Sequence, residues 1–194
     1  MAVWGLTGGM GSGKSAVSRI FAQRGFDIID ADLMTRKLHH DPSICAELAM
    51  QFGDDVLDHS SDHVCVLRSR LAQIVFGSAD ALAALNRIMQ PALYHALQSA
   101  LEQCSGNALL DAALLFEAGW DKLVSGCIVV VCPIEIRIER ILARDGLPEA
   151  QIRSRIAAQM DDADRIRRAK FIIYNTVGFS GLAQQVDNIC AQIG

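Results

Sequence analysis

The run Gly8-Gly9-Met10-Gly11-Ser12-Gly13-Lys14-Ser15 constrains this chain more than any other stretch. A short apolar segment, Ala2 to Leu6, precedes it and reads as a strand; Ala16 to Phe21 follows and reads as a helix. The spacing Gly-x-x-x-x-Gly-Lys-Ser is that of a phosphate-cradling P-loop. Glycines let the backbone turn tightly and aim successive N–H groups inward, as a nest for phosphate oxygens. The helix N-terminus adds the positive end of its dipole. Lys14 is placed to reach the β- and γ-phosphates of a nucleotide, and the Ser15 hydroxyl to ligate magnesium. One rival pattern overlaps. Gly11-Ser12-Gly13-Lys14-Ser15-Ala16 also fits the relaxed dinucleotide fingerprint Gly-x-Gly-x-x-Gly/Ala, with acidic residues about 20 positions on. The P-loop reading accounts for more, because a dinucleotide turn has no use for a lysine inside it.

At 194 residues the chain suits one compact domain with an insertion, and its 51% hydrophobic content supports a sizeable core. No uncharged apolar run reaches the roughly 18 residues that suggest a membrane span. Met1-Ala2-Val3-Trp4 shows no basic leader, so no signal peptide is expected. A net charge of −4 argues against a surface that coats nucleic acid. The six cysteines, at 45, 65, 104, 127, 132 and 190, form no Cys-x-x-Cys pair. They read as reduced, mostly buried thiols of a cytoplasmic protein.

Beyond the loop, Val17, Ile20 and Phe21 form an apolar stripe, and Gly25 is placed to cap the helix. Phe26 to Ile29 reads as a buried strand that ends in Asp30-Ala31-Asp32. Ligands of parallel sheets bind at the carboxyl ends of strands, which puts these carboxylates near the phosphates. For Asp30 a solvated strand-end turn is an equal alternative. Leu33 to Cys104 carries helix patterns and little strand signal. A helix is expected from Asp41-Pro42 to near Gly53, a polar loop from Gly53 to His63, and an amphipathic helix over Leu67 to Phe76. Asp80 is expected to cap a helix over Ala81 to Met89, with Pro91 opening a second over Ala92 to Glu102. Strand character returns from Ala108 to Glu117. Asp111 there reads equally as a Walker B acid, holding magnesium through water, or as a strand-end cap. Cys127 to Cys132 is the clearest buried strand, and Phe171 to Tyr174 is the last, before Asn175 and a closing helix. Five strands alternating with helices give an α/β fold with a doubly wound parallel sheet.

Nine of the 18 basic residues fall between Ile134 and Lys170. Most arginines in such runs sit on solvated helix faces. Phosphoryl transfer, however, needs cations over the transferring group. Arg137, Arg140 and Arg144 recur at helical spacing and share one face. Arg144-Asp145-Gly146-Leu147-Pro148 then breaks the helix, as a lid hinge would.

Taken together, several motifs resemble the dephospho-CoA kinase family, and the similarity covers essentially the whole chain. They are Gly5 to Ser15, Ile29-Asp30-Ala31-Asp32 with Arg36, Leu114-Leu115-Phe116-Glu117, Arg144-Asp145-Gly146-Leu147, Arg155 with Gln159, and Asn175. The resemblance implies a P-loop kinase fold in three parts: a nucleotide core of residues 1–32, 106–136 and 168–194, a helical CoA-substrate domain of residues 33–105, and an arginine-rich lid of residues 137–167. It implies ATP and dephospho-CoA as substrates, magnesium as cofactor, and no obligate protein partner. Gly9, Gly11, Ser12, Gly13, Lys14, Ser15, Ala16 and Asn175 would bind ATP, and Ser15 the metal. Asp32 would be the base, with Arg36 and Glu117 on the acceptor. Lys14, Arg140 and Arg144 would neutralise developing charge. Three positions depart from the common pattern: Gln90 before Pro91 in place of His, Ala113 in place of Pro, and Ala16 in place of Thr.

Overall fold

The computed structural model describes residues 2–60, 63–176 and 179–193. It divides into two compact units. One runs up to Asp30 and resumes at Gln103; the other is Ala31–Glu102.

The first unit is built on five parallel strands: β1 (Val3–Gly8), β2 (Asp27–Asp30), β3 (Ala108–Asp111), β4 (Gly126–Val131) and β5 (Phe171–Tyr174). Their order is β2-β3-β1-β4-β5, with Leu6 beside both Asp111 and Ile128. β1 is central because its residues can be buried on both faces: Trp4 to Gly8 all lie inside. The chain first winds to one side of β1, through β2 and β3, and then to the other, through β4 and β5. The carboxyl end of β1 therefore lies where the winding reverses, the usual place for a ligand crevice.

Helix α1 (Lys14–Gln23) packs Val17, Ile20 and Phe21 against Trp4, Leu6, Ile128 and Ile173. It ends as the sequence suggests. Gly25 takes φ +85°, Gly25 N donates to Ala22 O and Phe26 N donates to Phe21 O, the paired bonds of a Schellman cap. Strand character was expected through Glu117, but β3 stops at Asp111. Leu115 and Phe116 turn back into the core while Leu114 is 51% exposed. The apolar run from Ala112 therefore forms tight turns, with Ala118 N bonded to Leu114 O and Trp120 N to Leu115 O. The arginine-rich stretch forms three helices, α6 (Ile134–Asp145), α7 (Glu149–Ala157) and α8 (Asp162–Arg168). Gly146 closes α6 at φ +63°.

The second unit contains α2 (Ala31–Leu38), α3 (Pro42–Phe52), α4 (Arg68–Val75) and α5 (Ala79–Glu102). Asp41 caps α3 by accepting from Ser43 N and Ile44 N. Two expectations need correction. The stretch after Gly53 is not simply a loop: Leu57–Asp58 pairs antiparallel with Cys65–Val66, because Val56, Leu57 and Val66 are drawn into the unit's core. Ser61 and Asp62, which that expectation also covered, lie outside the described residues. Pro91 does not open a new helix but sits inside the single 24-residue α5. An internal proline costs about 3 kcal/mol. Ala84, Met89, Leu93, Leu97 and Leu101 keep one buried stripe running through it, which offsets that cost. The start of α5 is held by Ser78, whose Oγ accepts from Ala81 N at 3.1 Å, and not by Asp80.

Leu48 is fully buried in this unit and Met50, on the same helix, is 89% exposed. Leu48→Ala should lower stability by about 2–5 kcal/mol, and Met50→Ala by no more than about 0.5 kcal/mol, both read by denaturant unfolding of the whole protein.

Candidate active site

The candidate site is assembled at the carboxyl edge of β1, β4 and β5 within the first unit. Gly8 ends β1 and Lys14 begins α1, so the intervening residues have no regular structure to satisfy their backbone groups. They form a tight turn instead: Ser12 N donates to Gly9 O at 3.0 Å, and Ala16 N to Gly13 O at 3.0 Å. The N–H groups that open α1, Lys14 and Ser15 among them, have no acceptor within the helix. Ser15 is exposed in the first turn, and Ser12 is buried.

Gly13 is the helix N-cap and requires glycine twice over. Its φ is +89°, and a Cβ added to it would lie 2.0 Å from Asn175 Nδ2. Asn175, just past β5, is itself locked. Its N–H donates to Val131 O at 2.8 Å, and its Nδ2 donates to Ser12 O at 2.7 Å. Its Oδ1 accepts from Arg140 Nη2 at 3.4 Å. Arg140 is held on its other side by Cys132, whose sulfur accepts from Nη1 at 3.4 Å. Burial pushes the Cys132 thiol pKa up, so this sulfur is a neutral thiol at ordinary pH.

Lys14 forms an ion pair with Asp111 at the end of β3. Both are largely shielded, at 15% and 8% side-chain exposure, and the pair fixes where the ammonium points. Asp111 is also the register partner of Asp30, so two strand-end carboxylates lie side by side at this edge. Gly9 and Gly11 both face α6, against Arg137 and, for Gly11, Ile141 as well. The three arginines expected on one face of α6 go to different places. Arg137 is buried, bonded to Met10 O and Asp162. Arg140 reaches Asn175. Arg144 is 65% exposed and paired with its neighbour Asp145. That bond holds the Asp145 carboxyl below the usual carboxylate range.

Glu117 lies in the turns after β3, where its Oε1 accepts from Met160 N and Arg165 Nη2, each at 3.3 Å. Asp32 and Arg36 belong to the second unit, in the first and last turns of α2, and both are exposed. Sequence reasoning did not single out Arg165. It is 1% exposed and bonded to Asp162 and Glu117. Its i, i+3 pairing with Asp162 is visible in the sequence, but nothing there separates it from the exposed arginines around it.

A parallel sheet in the order β2-β3-β1-β4-β5, with a Gly-Lys-Ser loop leading from its central strand into a helix, defines this chain as a protein of the P-loop kinase fold. The model of the dephospho-CoA kinase family matches residues 2–180. The chain belongs to that family. A dephospho-CoA kinase from Corynebacterium diphtheriae is 39% identical, over 91% of this chain and 89% of the relative. One from Fusobacterium nucleatum subsp. nucleatum is 32% identical, over 97% of each. The solved structure of TT1252 from Thermus thermophilus superposes with a TM-score of 0.87 at 28% identity, covering 100% of this chain and 98% of that one.

Gly13→Ala should disable this site. The left-handed backbone costs a non-glycine residue about 1–2 kcal/mol, and the clash with Asn175 adds to that. ATP binding followed by calorimetry should weaken by at least about tenfold, since each 1.4 kcal/mol is a factor of ten.

Proposed function

We propose that this chain transfers the γ-phosphoryl group of ATP to the ribose 3′-hydroxyl of dephospho-CoA, giving coenzyme A and ADP. The supporting observation is the loop of Gly8 to Ser15 with Lys14 paired to Asp111, in a chain that matches the dephospho-CoA kinase family over residues 2–180. The backbone N–H groups of Gly11, Gly13, Lys14 and Ser15 grip the phosphates. Lys14 exchanges its bond to Asp111 for the transferring group, where charge spreads over the equatorial oxygens. Arg140, steadied by Asn175 and Cys132, is a second cation for that charge, and Arg144 a third. Arg144 would first have to leave Asp145, an exposed pairing that is worth little.

Asp32 acts as the base. It orients the acceptor hydroxyl and takes its proton as the new P–O bond forms. Residues 33–105 hold dephospho-CoA, with Arg36 and Glu117 contacting it, and residues 137–167 close over ATP. The Ser15 hydroxyl and the Asp111 carboxylate are hard oxygen donors. They suit magnesium, which takes few protein ligands and keeps several waters beside substrate phosphates. No group of three or more acidic, histidine or cysteine side chains is placed to hold a metal ion among the described residues. A dedicated metal cage is not what such a site needs. Bound magnesium offsets phosphate charge. All six cysteines are free thiols, and no helix among the described residues is long and apolar enough to cross a membrane. Reduced thiols suit a reducing compartment, and we place the enzyme in the cytoplasm.

A coupled ADP-release assay with dephospho-CoA, AMP, adenosine and shikimate side by side tests the reading. Turnover is expected with dephospho-CoA; turnover with AMP and none with dephospho-CoA would refute it. Asp32→Asn should keep ATP affinity and lose about 10²–10⁴-fold in kcat, and a normal kcat would remove Asp32 from the base role. Lid closure predicts that an ATP analogue slows amide exchange across residues 137–160; exchange that stays as fast as in the free protein would count against a lid.

A further inference from the structure

Met10, the apex of the loop, has both backbone groups bonded to residues from much later in the chain. Its N–H donates to Gln159 Oε1 at 2.8 Å, and its carbonyl accepts from Arg137 Nε at 2.7 Å. The two bonds open two paths, and the paths meet. Along one, Arg137 Nη1 donates to Asp162 Oδ2 at 2.9 Å. The other oxygen of Asp162 accepts from Arg165 Nη1 at 3.1 Å, and Arg165 Nη2 donates to Glu117 Oε1 at 3.3 Å. Along the other, Gln159 is followed by Met160, whose N–H donates to the same Glu117 oxygen at 3.3 Å. The result is a closed ring through Met10, Gln159, Met160, Glu117, Arg165, Asp162 and Arg137.

The ring contains two guanidinium groups and two carboxylates, so its charge sums to zero. Its cations are inside the protein: Arg137 is 4% and Arg165 1% exposed. The loop is shaped to receive it. A Cβ on Gly9 would fall 2.3 Å from Arg137 Nη2, so glycine at this variable position of the motif leaves room for the guanidinium. The Met10 side chain packs against Ile138, Ile141 and Ile152 of α6 and α7.

We propose that Glu117 and Gln159 are positioning residues for ATP, fixing the apex of the phosphate loop at Met10 through this ring without touching the nucleotide. The inference deepens the functional reading above and rests on the loop being the ATP site. Both polar groups of Met10 are turned outward and used, so the neighbouring N–H groups converge on a ligand only if the apex keeps its orientation. A glycine-rich loop has little stiffness of its own. Small displacements of binding groups carry large effects: a misplacement of about 1 Å can cost about 10²-fold. Glu117 is the one residue on which both arms close. Its effect on ATP is therefore separable from any contact with the acceptor.

The test is the Kd of magnesium with a non-hydrolysable ATP analogue, measured calorimetrically without dephospho-CoA, alongside melting temperature and the two KM values. Glu117→Ala should raise that Kd about tenfold. Glu117→Gln, which still offers an acceptor oxygen to Met160 N and Arg165, should recover most of the loss. Gln159→Ala should raise Kd by a similar factor with the melting temperature little changed, because its side chain makes one neutral bond and strands no charge. The double variant should be no weaker than the worse single one, since either change opens the same ring. Arg24→Ala, an exposed arginine outside residues 137–167 that is bonded to Asp187, is the control and should leave Kd alone. If Glu117→Ala changes only the KM for dephospho-CoA, or if the two losses multiply to about a hundredfold, the proposal is overturned. Should Glu117→Ala fail to fold, an unchanged Kd in Gln159→Ala overturns it alone. Failure of the functional reading looks different: the unaltered protein would bind the analogue yet release no ADP with dephospho-CoA.

Discussion

The phosphate loop holds its shape through bonds that come from elsewhere in the chain. An irregular, half-buried segment must still pair its backbone groups, and this one has few partners of its own. Asn175 supplies a donor for Ser12 O, Arg137 one for Met10 O, and Gln159 an acceptor for Met10 N. The sheet order explains why these residues are within reach. Because β4 pairs with β1 and β5 with β4, the chain leaving β4 enters α6 next to the loop, and the chain leaving β5 brings Asn175 to Ser12. The loop's N–H groups converge because the carbonyls and amides around them are already engaged.

That dependence also sets what a sequence can reveal. The loop, its flanking strand and helix, the Gly25 cap and the strands at 126–131 and 171–174 are legible because each rests on local chemistry: glycine at positive φ, apolar period, β-branched runs. Asp41-Pro42 as a helix start is of the same kind. The misreadings have the opposite character. Pro91 breaks helices by every local rule, but a buried stripe from Ala84 to Leu101 overrides it. Leu114, Leu115 and Phe116 look like strand, yet only tertiary packing decides which of them turn inward. Leu57 and Val66 each pair because a partner is available, and neither segment shows it alone.

The arginines illustrate the limit most sharply. Arg137, Arg140 and Arg144 do share a helix face, as their spacing requires. Periodicity says nothing about where the face ends up, or that one guanidinium is buried, one half-anchored and one in solvent. Arg165 and Arg167 are two residues apart on α8; the first is 1% exposed and the second 71%. Both have an aspartate three positions earlier. The distinction lies in Glu117, contributed by a segment 48 residues away.

Burying two arginines is not a route to stability. Apolar residues of similar size often stabilise a protein as well as a buried ion pair, whose desolvation cancels much of its attraction. Arg165 is not even fully satisfied, since its Nε has no acceptor among the described residues. What an apolar side chain cannot do is fix the direction of a carbonyl. A guanidinium is a planar fork with donors at set angles. Arg137 uses one branch on Met10 O and another on Asp162, so the loop carbonyl is oriented relative to a carboxylate that Arg165 orients in turn. Directional bonds of this type transmit an angle, whereas packing transmits only a volume. A phosphate nest is defined by angles between N–H groups, and that is a physical reason for its outer shell to be built from charge-assisted hydrogen bonds.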